Sequence, residues 1–140
     1  MTKDCIFCKI AQGKAEGRKI YEDEKTVALI DIKPRFAWGQ CVIFPKKHVR
    51  QFYHLNKENY QALFKTVKKV AEKLESEFES EFVSIFSRGQ TLEHAHVILF
   101  PAGSDEPIDN FIELILAHEE LDEEATDEGL DKLQGKLEIK

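Results

Sequence analysis

The stretch Gly89-Gln90-Thr91-Leu92-Glu93-His94-Ala95-His96-Val97-Ile98-Leu99-Phe100-Pro101 is the one around which the rest of the chain is read. Its second half alternates with a period of two, so in a strand His94, His96 and Ile98 share one face. Two of the five histidines thus stand two residues apart on a rigid element, a suitable place for imidazole chemistry. An H-x-H pair taken alone reads equally well as two partly exposed strand residues, and the surrounding segments decide between the two.

Working outward, residues 82–86 (Phe-Val-Ser-Ile-Phe) read as a strand and residues 87–90 as the turn into the histidine strand. Upstream, Asn56 is a good helix N-cap. After it Tyr60, Phe64, Val67, Ala71, Leu74 and Phe78 recur at helical spacing, with Leu63 and Val70 widening an apolar stripe suited to core packing. Residues 40–44, ahead of Pro45, form a largely buried strand in which the lone Cys41 reads as core. Residues 20–32 read as a hairpin around the polar turn 22–25, stopped by Lys33-Pro34 because proline lacks a donor and restricts its predecessor. The predicted class is α+β: an antiparallel sheet of about five strands with one long helix packed on it, over residues 1–101. Residues 102–140 form an acidic helical C-terminal extension expected to pack on the same domain, with helices over 110–118 and 127–137 and a loop at 105–107.

The 140 residues suit one domain, and 42% hydrophobic with 33% charged residues is a soluble globular composition. No apolar run approaches the ~20 residues of a membrane span, and the first residues lack the apolar stretch of a signal peptide, so a cytoplasmic protein without membrane contact is expected. Residues 102–140 hold 13 Asp/Glu against 3 Lys, which leaves residues 1–101 at +4 out of a total of −6. The mildly basic part suits a phosphate-bearing ligand, while the acidic end argues against wrapping long nucleic acid. Three cysteines make no disulfide framework. Cys5 and Cys8 form a C-x2-C pair that reads as half a zinc site or as two small core residues at the start of a helix. His54 and His118 have no evident partners and read as surface residues.

G-Q-T-L-E-H-A-H-V-I-L-F-P resembles the signature of the histidine-triad (HIT) family, H-φ-H-φ-H-φ-φ with φ apolar, preceded by G-Q-S/T and often followed by proline. The resemblance extends over residues 4–101 through C-I-F-C-K-I, Y-E-D-E and D-I-K-P-x4-G-Q-C-V-I-F-P-K-K-H. It implies the same α+β fold, commonly as a homodimer, and a nucleotide hydrolase acting on nucleoside phosphoramidates, dinucleoside polyphosphates or similar conjugates. A nucleotidyl transferase using the same intermediate, or a weakened nucleotide-binding module, are the alternatives. By the family's pattern His96 is the nucleophile, with Gln90, Thr91 and the backbone near Gly89 holding phosphate oxygens. Asp31 matches the ribose-binding acid, Tyr21 and Ile32 are candidates to flank the base, and with the turn shortened a polar contact to the phosphate end is either absent or falls to Ser87 or Arg88. Some bacterial members carry zinc on Cys5, Cys8, His48 and His94 equivalents, which makes His94 a ligand rather than a catalyst. Three positions depart from the pattern: Ile98 stands in place of the third histidine, the turn 87–89 is short, and Gln40 occupies a position where many members have histidine.

Overall fold

Strands β1 (Lys19–Glu22), β2 (Thr26–Ile30), β3 (Cys41–Pro45), β4 (Phe82–Phe86) and β5 (Val97–Ala102) form one antiparallel sheet in the order β1-β2-β3-β5-β4. Helices α1 (Ile6–Ala11) and α2 (Lys57–Phe78) cover its two faces, and α3 (Asp127–Leu137) lies in the extension. The computed structural model describes residues 4–103, 112 and 126–139. The expected loop at 105–107, the helix at 110–118 apart from Ile112, and His118 lie outside the described residues. Among those described, no helix is long and apolar enough to cross a membrane.

Local chemistry sets the element boundaries. The first hairpin turns on Asp23, whose Oδ1 accepts from Lys25 N (2.9 Å), Thr26 N (2.8 Å) and Thr26 Oγ1 (3.0 Å), replacing backbone partners that a tight turn leaves open. Asn56 caps α2 as expected, its Oδ1 accepting from Asn59 N at 2.9 Å. The helix stops where Glu79 turns left-handed (φ 48°). Its buried stripe is Leu63, Thr66, Val67, Val70 and Leu74, while Tyr60 and Phe78, expected on the stripe, stay 44% and 42% exposed. Twenty-two residues overrun the sheet, so the end positions hang past its edges. Thr66 enters the stripe because its hydroxyl meets that of Thr26 at 2.7 Å, which satisfies both buried groups.

Strand alternation divides the core cleanly. Ala28, Cys41, Ile43, Val97 and Leu99 pack under α2 with Leu63, Val67, Val70 and Leu74. Val27, Leu29 and Phe44 pack on the other face with Phe7 and Ile10 of α1. On that second face the register makes Val27 face Phe44, and Leu29, Val42 and Ile98 form a row across three strands. Cys41 is buried as expected, its thiol donating to Gly39 O at 3.3 Å, and burial, with Asp31's charge nearby, pushes its pKa up to about 11. Helix α3 is capped by Thr126, whose Oγ1 accepts from Gly129 N, and it has no buried residue; Leu130, Leu133 and Leu137 are exposed.

Candidate functional site

The strand expected to carry His94 and His96 starts at Val97: just ahead of it Ala95 N bonds to the loop after β3 rather than to the sheet ladder, and the His94 and His96 carbonyls accept from side chains. Ala95 N donates to Val49 O at 2.7 Å, and His94 Nε2–H donates to Pro45 O at 2.7 Å. These two bonds draw the P-K-K-H loop against the E-H-A-H segment and bring His48 to His94. Helix α1 arrives from the other side with Cys5 as its N-cap, Sγ accepting from Cys8 N, and Cys8 one turn on.

Four side chains converge there. His94 Nδ1 lies 3.2 Å from Cys5 Sγ, 3.6 Å from Cys8 Sγ and 3.0 Å from His48 Nδ1, and Cys8 Sγ lies 3.3 Å from His48 Nδ1. All four ligand atoms fall within 4.8 Å of one another, and the 3.0–3.6 Å pairs lie near the roughly 3.3–3.8 Å edges of a tetrahedral site with metal–ligand bonds of about 2.0–2.3 Å, so a small inward shift of the widest pair would close it. Donation from His94 Nε2 to Pro45 leaves the Nδ1 lone pair facing the thiols, the orientation a ligating imidazole needs. His94 is fully buried, and burial outweighs the Pro45 bond to push its pKa down to about 4, helped by the neighbouring His48 and His96, so the ring is neutral. Burial and the adjacent Cys5 push the Cys8 thiol up to about 11 without metal. The donors, tautomer and spacing fit a metal ion. The two readings of C-x2-C, half a metal site and the start of a helix, coincide.

His96 stands beside this cluster with a different partner. Its Nδ1–H donates to His94 O at 2.7 Å, which leaves Nε2 as the unprotonated nitrogen, and its carbonyl accepts from Ser87 Oγ at 2.8 Å. Phe7 packs edge-on against both imidazoles, ring centroids 5.6 Å from His94 and 5.4 Å from His96, and stacks on Phe44 at 4.3 Å. Phe7 therefore fixes both rings, a role its placement inside C-I-F-C suggests only once α1 is seen to cross the histidine segment. Ile98 lies on the same face, partly buried, packed on Ala37, Phe100 and Ala102.

The remaining candidates divide between the two faces. Asp31 N donates to Gln40 O at 2.9 Å, which extends the β2–β3 pairing one step and places Asp31 and Gln40 on the His96 face, beyond the Leu29–Val42–Ile98 row. At ~3.3 Å per residue and ~4.8 Å per strand, Asp31 is roughly 13 Å along and 10 Å across the sheet from His96. Ile32, 72% exposed, follows Asp31 at the sheet's end. Gly89 is buried with φ 60°, and a Cβ there would stand 2.7 Å from the Gln51 amide, so the turn requires glycine. Gln90 and Thr91 are exposed in the bend after it, and Ser87, a candidate for the phosphate end, donates to the His96 carbonyl. Tyr21 is displaced: opposite Ala28 in the register, it packs under α2, donates to Asp23 Oδ2 (3.0 Å) and accepts from Lys69 Nζ (3.0 Å). The period of two turns its ring away from His96, so it does not flank a base held there.

A cleft of about 940 Å³ opens on that α2 side, between Ile20, Tyr21, Trp38, Lys69 and Phe78, with Asp31 and Ile32 at its rim. It contains neither His96 nor any of the four converging ligands. Cavity and chemistry therefore point to different places, and the ordered imidazoles, not this cleft, define the candidate site.

Residues 4–109 match the family described as "Scavenger mRNA decapping enzyme C-term binding". An uncharacterized HIT-like protein of Methanocaldococcus jannaschii is 33% identical over 101 residues, 69% of this chain and 78% of that one. A crystal structure of a member of the HIT family from Bacillus subtilis superposes with a TM-score of 0.77 at 25% identity, covering 96% of this chain and 95% of the other. An adenosine 5'-monophosphoramidase of Schizosaccharomyces pombe is 35% identical over 66 residues, 47% of this chain and 49% of that protein.

Proposed function

The chain belongs to the histidine-triad family, and from that premise we propose that it is a nucleotide hydrolase that acts on nucleoside phosphoramidates, dinucleoside polyphosphates or related nucleotide conjugates through a nucleotidyl-His96 intermediate. The observation that carries this reading is the 2.7 Å bond from His96 Nδ1 to His94 O, which leaves Nε2 with its lone pair. Nε2 attacks the nucleotide's α-phosphorus, the bond to the amine or phosphate leaving group breaks, and water then attacks phosphorus to release the nucleoside monophosphate and restore the imidazole. Backbone N–H groups near Gly89, with Gln90 and Thr91, take the phosphoryl oxygens as charge shifts onto them. In this reading the nucleoside lies between His96 and Asp31, over the partly buried Val42 and Ile98. Ile98 offers no proton to a departing group, which favours leaving groups that need little help. The family relationship to the fission-yeast phosphoramidase supports the substrate class.

Zinc is the metal we assign to Cys5, Cys8, His48 and His94, since two thiols and two imidazoles in tetrahedral reach are its closed structural set. When bound it supplies no reacting group; it ties α1 to the segment bearing His96. A homodimer is the expected assembly, supported by the outer strand β4, whose Phe82, Ile85 and Phe86 are 45%, 55% and 40% exposed. A reducing, cytoplasmic setting suits the three free cysteines.

The test is His96→Ala. Acid-labile labelling by an adenylated substrate and turnover should both disappear while folding and AMP binding persist. Turnover near the parent rate in that variant would sink the covalent mechanism. Labelling that persists without hydrolysis in the parent protein would favour transfer to another acceptor.

A further inference from the structure

Gln40 is 3% exposed, a buried polar side chain at the entrance to β3, and every atom of its amide that can bond is engaged. Its Oε1 accepts from Arg35 N (3.2 Å) and Phe36 N (3.1 Å), and its Nε2 donates to Asp31 Oδ2 at 2.7 Å. Turning the amide over would set its NH2 against two backbone donors and its oxygen against a carboxylate, so its orientation is locked. The Gln40 side chain thereby ties the loop backbone at Arg35 and Phe36 to the Asp31 carboxylate.

The consequence falls on Asp31. A carboxylate carries about four acceptor positions. Lys33 N takes one on Oδ1 (2.9 Å) and Gln40 takes one on Oδ2, which leaves each oxygen with one acceptor position open. Two acceptors, one per oxygen, held in a fixed plane by a neutral donor, match the two O–H donors of a vicinal diol. A neutral amide also leaves the carboxylate's charge intact, which strengthens any hydrogen bond it accepts.

We propose that Gln40 is a positioning residue that orients Asp31 for a ribose diol, so that the site selects ribonucleotides over 2'-deoxyribonucleotides. This deepens the nucleotide reading above and rests on it.

The experiment measures Kd for AMP and for 2'-deoxyAMP with the parent protein, Gln40→Met and Gln40→Glu. The parent protein should prefer AMP by about 10-fold or more, the worth of one hydrogen bond to a charged group. Gln40→Met, similar in length but without a donor, should bring the ratio close to one. Gln40→Glu keeps the size but sets two carboxylates together, and like charges raise the pKa of one of them. Its preference for AMP should therefore be lost at pH 8 and return near pH 5, where one proton restores a donor to Asp31; in the parent protein the ratio should not change in that direction. A residue that merely held the loop would not make ribose preference depend on pH in this way. A parent ratio near one, an undiminished ratio in Gln40→Met, or a pH-independent ratio in Gln40→Glu would overturn the proposal while leaving the nucleotide reading in place. Failure of the parent protein to bind either nucleotide would overturn both.

Discussion

On the face covered by α2, Ala28, Cys41, Ile43, Val97 and Leu99 meet Leu63, Val67, Val70 and Leu74, and Thr26 with Thr66 satisfy each other's hydroxyls. On the face covered by α1, Val27, Leu29 and Phe44 meet Phe7 and Ile10 of a six-residue helix, with Ala11, Ala15 and Leu92 around them, and the same surface carries His94, His96, Asp31 and Gln40. Twenty-two helical residues cover one side of the sheet, while six, with the Phe36–Ala37 segment, cover the other and share it with the polar groups. The difference teaches where stability comes from in each half. The α2 face is held by apolar burial, whereas α1 is too short to be stable through its own hydrogen bonds. Its attachment draws on Phe7 and Ile10 buried against the sheet, with Phe7 stacked on Phe44, and on the Cys5 and Cys8 thiols against His48 and His94.

The sharpest way to break that contrast is to remove the metal. Structural zinc contributes on the order of 10 kcal/mol of apparent folding free energy. Metal analysis should find about one zinc per chain, and Cys5→Ser should lose it together with a large part of thermal stability. Cys41→Ser, the same exchange on the α2 face, should leave zinc content unchanged. A metal-free protein that melts at the same temperature as the untreated one would show that α1 is held by packing alone.

Leu63→Ala probes the opposite face. Leu63 is fully buried under the sheet, and truncating it should cost about 3 kcal/mol, within the 2–5 kcal/mol range for a leucine cavity. Denaturant melts should show that loss with zinc content and AMP affinity intact. A parallel loss of AMP affinity would mean that the two faces are coupled through the strands.

How much of this was legible in the sequence follows the same division. The period of two and the 3.6-residue stripe place the five strands and α2, and Asn56 marks the helix start to the residue. Face assignment was less secure. Tyr21 belongs to Y-E-D-E, a segment read through the resemblance, and only its pairing with Ala28 reveals that it points under α2. Alternation through His94 and His96 does not reveal which partner a backbone takes, and Ala95 N takes the loop after β3, so β5 begins only at Val97. The four metal-binding candidates were legible as residue types, but their convergence depends on the Pro45 and Val49 carbonyls, which any sequence would supply. Gln40 registered only as a departure; a polar residue directly ahead of a buried strand and one strand across from an acid was the available signal.

Ile98→His sharpens the comparison on the chemical face. Alternation puts the new ring beside His96, where it can donate to a phosphoryl oxygen or to the leaving group. A positioned acid contributes about 10²- to 10⁴-fold, and the lower end is expected because Val42, Ala37 and Phe100 offer the ring no polar support. Loss of apolar burial should cost roughly 2 kcal/mol. Faster hydrolysis with a lower melting temperature fits a hydrolase limited by its missing donor; a variant that folds, binds AMP and turns over no faster shows that another step is limiting.

The smallest expected effect comes from Tyr21→Phe, which removes one hydroxyl from the α2 side. That hydroxyl donates to Asp23 Oδ2 and accepts from Lys69, whose ammonium also sits 4.7 Å from the ring centroid. The ring and its packing survive the substitution, so the cost is that of a partly exposed hydrogen bond, about 1 kcal/mol. Burial tends to raise the Asp23 carboxyl, but bonds from Lys25 N, Thr26 N, Thr26 Oγ1 and Tyr21 outweigh it and hold the pKa below the usual carboxylate range. A carboxylate depressed in this way contributes stability that is present above its unfolded value of about 3.9 and is lost as pH falls through its native value. The parent and variant should therefore differ in melting temperature near neutrality and converge in acid below pH ~4, where the protonated carboxyl no longer attracts the phenol as an anion does. AMP affinity should be the same in both, since the hydroxyl lies on the face away from His96. A weaker AMP complex with an unchanged melting temperature would return Tyr21 to the nucleotide and overturn the division of the sheet into a packing face and a chemical face.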